Sequence, residues 1–181
     1  YRRMDGEASP LDEPIVFEVE SLYKSTLAGK SKEEKDTLEK EYIATVDHRG
    51  DLMRTYREQK RKVEKVRVAA QRRPGSFGEV DADLLQMQDA ILSMDKMLYG
   101  NKAKAAIGEK DMPSLNDRVW AAAGALYGST YGPTGNAKAS LDIAKSMLTD
   151  IEQQVAILDT QINLAYQKLI QLGAPEIRGM E

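Results

Sequence analysis

The chain has 181 residues, of which 30% are charged and 41% hydrophobic, with a formal net charge of −3 and no cysteine. That size fits one domain with a continuous core, and its Ala, Leu, Lys, Glu, Gln and Met content favours a mostly helical protein. Disulfides and thiolate metal sites are excluded, no apolar run reaches the roughly 20 residues that span a bilayer, and the acidic balance gives no global attraction to nucleic acid or anionic lipid.

Residues 1–14 carry Gly6, Pro10 and Pro14 among scattered charges and read as a linker. The chain is expected to be an excerpt of a longer one, because it starts at Tyr1 with neither an initiator Met nor an apolar leader. Residues 15–23 (IVFEVESLY) are ambiguous: Ile15, Phe17 and Val19 alternate as in a strand, while Ile15, Val19 and Leu22 share a helical face. A short helix or an extended arm packed on the rest is the expectation, ended by Gly29.

Ser31 and Glu34 form the ends of a capping box, from which a long helix is predicted to run to about Arg72. Leu38, Tyr42, Leu52, Tyr56, Val63, Val66 and Ala70 mark its seam, and Gly50 suggests a kink or short break. Pro74, Gly75, Ser76 and Gly78 end it. A third segment covers about Val80 to Tyr99, with Val80, Leu84, Met87, Ile91, Met94 and Leu98 inward. Gly100 and Asn101 stop it. Ser114 caps a short Ala-rich helix through Tyr127, in which Leu115, Val119, Ala122 and Leu126 point inward and Trp120 and Tyr127 are expected to anchor the bundle. After a turn at 128–135, the last helix, Ala137 to Leu172, places Leu141, Ala144, Leu148, Ile151, Val155, Leu158, Ile162, Ala165, Leu169 and Leu172 at unbroken steps of 3 and 4. About 36 residues make a rod roughly 54 Å long. Ile143, Met147, Ile157, Leu164 and Ile170 are expected to widen its seam toward more than one neighbour.

These elements predict an all-α fold, an antiparallel helical bundle with two long helices and two shorter ones that cover the remaining seam. The division is an N-terminal arm or linker at 1–30, the bundle at 31–173 and a C-terminal tail at 174–181.

The residues that could carry chemistry are few. His48 is the single histidine, beside Asp47 and near Asp51, and without a Glu-x-x-His pair it reads as a surface histidine rather than a metal ligand. The segment from Gly132 to Ser140 has the residues of a phosphate loop but not their order, so Thr134 or Asn136 is expected to cap the final helix instead. Arg54 to Arg73 holds nine basic residues against Glu58 and Glu64, a local charge of +7 balanced by −10 elsewhere. Its candidate face for an anionic partner is Arg54, Arg57, Arg61, Lys65 and Arg72; a solvated outer face is the structural alternative. Nucleic acid is disfavoured, since Tyr56 is the one aromatic in the stretch. The methionines at core spacing read as core filling. No nucleophile, base and orienter can be assembled, so neither an enzyme nor a cofactor is expected.

Met112-Pro-Ser-Leu-Asn-Asp-Arg118, Gly132-Pro-Thr134, Leu158 to Asn163 and Leu172-Gly-Ala-Pro-Glu-Ile177 occur in an order that resembles the C-terminal helical region of large bacterial sortilin-like β-propeller proteins, often labelled glycosyl hydrolase or exo-sialidase-like. The similarity covers roughly Leu98 to Ile177; the charged segment at 31–41 and the residues at 15–23, where that family has a small β-domain, depart from it. The resemblance implies a non-catalytic accessory domain that follows a propeller in an exported protein, with that propeller or a partner protein as its contact. No functional residue carries over, because the propeller would hold them. The alternative is a free-standing helical adaptor or coiled-coil oligomer that meets an anionic partner through the 54–73 face.

Overall fold

The computed structural model describes residues 2–4, 7–9, 15–19, 29–72, 78–128, 131–174, 177 and 179. Five helices carry the fold: α1 (Lys32–Arg72), α2 (Gly78–Tyr99), α3 (Lys102–Ala106), α4 (Leu115–Tyr127) and α5 (Gly135–Gln171). Ahead of them, β1 (Arg2–Met4) and β2 (Glu7–Ser9) form an antiparallel hairpin, with Arg2 opposite Ser9 and Met4 opposite Glu7. The hairpin lies inside the stretch read as a linker; three-residue strands are too short to show a period. Residues 15–19 are neither helix nor strand and are exposed, so this part of the arm is not packed on the bundle. Residues 20–23, the turn at 74–76, Arg73, Pro175 and Glu176 lie outside the described residues.

Local chemistry sets the helix starts. Ser31 Oγ accepts from the Glu34 amide while the Ser31 amide donates to the Glu34 carboxylate, as the sequence predicts. Ser114 and Asp117 make a second such box at α4, and the hydrogen bonds that the Ser114 hydroxyl and then its amide donate to the Asp117 carboxylate hold that carboxyl below the usual range. Thr134 caps α5 through the Ala137 amide at 3.2 Å. Asn101, read as a stop, instead caps α3 by accepting from the Ala103 and Lys104 amides, a one-turn helix with no apolar period to announce it.

Cross-helix pairs give the directions. Glu41–Lys145 (2.6 Å), His48–Glu152 (3.5 Å) and Lys62–Asp159 (3.5 Å) advance together along both chains, so α1 and α5 run parallel. Asp83–Lys168 and the Met97–Gln154 contact advance in opposite senses, so α2 is antiparallel to α5. α4 continues in the direction of α2: Arg49 donates to Asn116 at 3.1 Å, and Leu38 shares a cluster with Leu126, Ala122, Ala137 and Leu141. α1 and α2, and α4 and α5, are therefore antiparallel pairs, while the two long rods are parallel and the short helices, end to end, form the third column.

This placement explains the heptad of α5. It meets α1 along one flank and α4 then α2 along the other, and every one of its predicted seam residues from Leu141 to Leu169 is buried. Leu172, the C-cap, is half-buried. Each such Leu or Ile contributes about 1.5–3 kcal/mol relative to leaving it in water. Tyr56 is 1% exposed, and its hydroxyl donates to Asp95 at 2.8 Å, which also accepts from Lys60. Burial, and then Asp95, pushes that hydroxyl well above the usual phenol range. The tail turns back as well: Ala174 and Ile177 pack against the core.

α1 passes through Gly50 without a break. Gly50 is exposed, and a Cβ there would meet nothing within 4 Å. Gly50→Ala is therefore expected to stabilise the chain by about 0.5–1 kcal/mol, read as a rise of roughly 1–4 °C in thermal midpoint.

Candidate functional site

A residue every 100° places Arg54, Arg57, Arg61, Lys65 and Arg72 within an arc of about 80° on α1. The structure puts all five on one exposed outer face. The other cations of the run turn toward carboxylates: Lys60 to Asp95 at 2.9 Å, Lys62 to Asp159 at 3.5 Å, and Arg67 to Glu64 at 2.6 Å. Hydrogen bonding to Arg67 holds the Glu64 carboxyl below its ordinary range. On the outer face Arg54 pairs with Asp51 and Lys65 donates to the Gly179 carbonyl. Arg57, Arg61 and Arg72 have no carboxylate partner among the described residues. Glu58 and Glu64 flank that arc, one on each side, and both are exposed.

A second surface comes from α5. Gln153, Ala156, Ile157, Thr160, Asn163, Leu164 and Gln167 are exposed and share its outward side, so four turns of that surface carry no charge. Its charged neighbours point elsewhere, Glu152 to His48, Asp159 to Lys62 and Lys168 to Asp83. Ile157 is 58% exposed and Leu164 60%. The expectation that Ile143, Ile157, Leu164 and Ile170 widen the seam is thus corrected: a three-column bundle has no helix to cover them. Lack of charge at outward positions was the signal in the sequence, since a solvated face in a chain this charged carries Lys and Glu.

Trp120 is a second correction. It is 74% exposed rather than an anchor, and Tyr127 beside it is exposed too, its ring meeting Tyr42 edge-on at 6.0 Å between centroids. Both follow buried residues by one position, Val119 and Leu126, which puts them just outside the seam.

The remaining candidates lie where α1 meets α5. His48 lies at the surface, with Nε2 3.5 Å from Glu152, beside a groove of about 410 Å³ that Asp51, Thr55, Gln59 and Asp159 help to line. Among the described residues no group of three or more His, Asp or Glu side chains is placed to hold a metal ion. A groove of about 470 Å³ lies where α1 and α5 begin, and Lys30 and Lys138 there face Glu33, Glu34 and Glu41. Three carboxylates would oppose a phosphate at that place. Glu41 is held below the usual range by its hydrogen bond to Lys145, so it stays charged. No described helix is long and apolar enough to cross a membrane.

Comparison of the chain with known protein families, with curated proteins and with solved structures finds no match.

Proposed function

We propose that this bundle is a non-catalytic accessory domain whose work is packing: it presents a rigid, uncharged side of α5 to a neighbouring domain or partner protein. The observation that carries the reading is the uncharged outward side centred on Ile157 and Leu164. Depletion of charge around exposed aliphatic groups is the composition of an interface core, not of a solvated surface. The resemblance to the helical region of exported bacterial sortilin-like propeller proteins supplies the neighbour, an upstream propeller.

The open reading frame ahead of Tyr1 is expected to encode that propeller, and a start codon immediately upstream of Tyr1 would sink the assignment of the neighbour. Packing is tested in the longer chain itself. Ile157→Glu with Leu164→Glu is expected to free the bundle for protease cleavage from its neighbour while the 181-residue chain keeps its helical circular dichroism. Unchanged cleavage would show that the α5 side is not the contact.

The unmatched outer arginines of α1 favour a second reading, a helical adaptor that meets an anionic partner through that face, alone or as an oligomer.

A further inference from the structure

We propose that the outer face of α1 binds a linear acidic polysaccharide, a glycan chain with about one carboxylate or sulfate per sugar. The proposal rests on the adaptor reading and names its ligand. The fold sorts its cations: Lys60, Lys62 and Arg67 are satisfied by Asp95, Asp159 and Glu64, while Arg57, Arg61 and Arg72 face water without a carboxylate among the described residues. Arginine forks match planar carboxylates and tetrahedral sulfates, so the unsatisfied set has a chemistry it fits.

Shape and density select the ligand. The row from Arg54 to Arg72 runs about 27 Å along a convex helix. A single straight row suits a single chain and offers no second row for the other strand of a duplex. Arg57, Arg61 and Arg72, the three without a carboxylate, span about 23 Å of the row, roughly one per 11 Å, while Arg54 is paired with Asp51 and Lys65 with the Gly179 carbonyl. Glu58 and Glu64, one on each side of the row, thin the charge further and favour a sparse polyanion. Stacking is unavailable to single-stranded nucleic acid, because Tyr56 is buried under Lys60 and Asp95. The only apolar side chain in the row is the half-buried Val68, so the face has neither the anchor of a protein interface nor the wedge that enters a bilayer.

The test is titration calorimetry of the 181-residue chain with polygalacturonate at 50 mM and 200 mM NaCl. Binding is expected at the lower salt, at least tenfold weaker at the higher, and absent with neutral amylose. Arg57→Glu with Arg61→Glu is expected to abolish it at an unchanged thermal midpoint, and Arg57→Gln with Arg61→Gln to weaken it at least tenfold should the reversed pair not fold. Binding that survives both pairs overturns the proposal. Arginine-dependent binding of oligo-dT or polyphosphate without polygalacturonate overturns the ligand but keeps the adaptor reading. Binding of none of the three overturns both.

Discussion

Leu158→Ala is expected to lower the stability of the chain by about 2–5 kcal/mol, whereas Ile157→Ala, one residue away, moves it by no more than about 0.5 kcal/mol in either direction. Leu158 is fully buried in the middle of α5, where that helix meets its neighbours, and Ile157 is 58% exposed. Truncation at 158 removes three carbons from a site walled by side chains on several helices, and the space left cannot collapse without moving one of the long rods. Truncation at 157 removes a side chain that water already surrounds, and alanine's better helix propensity offsets part of the loss. Urea unfolding of the two variants checks this. Equal losses would mean that the outward side of α5 is covered in the isolated chain. A small loss at Leu158 would mean that the heptad faces another way.

The same contrast shows what the sequence makes legible. Steps of 3 and 4 locate a stripe, and every strongly periodic position from Leu141 to Leu169 is buried where the stripe predicts. What periodicity does not give is the width of the stripe, because that depends on how many helices surround it. Ile157 and Leu164 would be core beside a fourth column and are surface beside three. Trp120 fails in the same way: its size argues for burial, and its position next to Val119 argues against it. Caps are legible because they are local, as Ser31, Ser114 and Thr134 show. The parallel course of α1 and α5 is not, since it follows from the short helices adding end to end rather than from any residue in either rod. For the candidate face, the run of cations is plain in the sequence. The sorting into matched and unmatched members needs the partners Asp95 and Asp159, 35 and 97 residues away from Lys60 and Lys62.

Where the parallel rods begin, one backbone crossing ties them together, and Gly132→Ala is expected to loosen it at a cost of roughly 2–3 kcal/mol. The Lys30 amide donates to the Tyr131 carbonyl at 2.8 Å, which brings the lead-in to α1 against the turn before α5. Gly132 sits beneath this crossing with φ +92°, and a Cβ there would stand 2.7 Å from the Lys30 Cβ. Two independent penalties therefore act on alanine. A left-handed φ strains any residue with a Cβ, and the neighbour in the way is held by its own backbone rather than being the free end of a flexible side chain. Either the turn gives way or the lead-in lifts off and draws the Ser31 cap with it. Gly135→Ala is the control: it lies in the first turn of α5 with nothing within 4 Å of a Cβ and is expected to change stability by no more than a few tenths of a kcal/mol, in the favourable sense. Thermal unfolding should place Gly132→Ala about 4–12 °C below the parent and Gly135→Ala at or above it. If both variants melt with the parent, the crossing at Lys30 and Tyr131 does not form, and the ends of α1 and α5 are joined by side-chain packing around Leu38 and Ala137 alone.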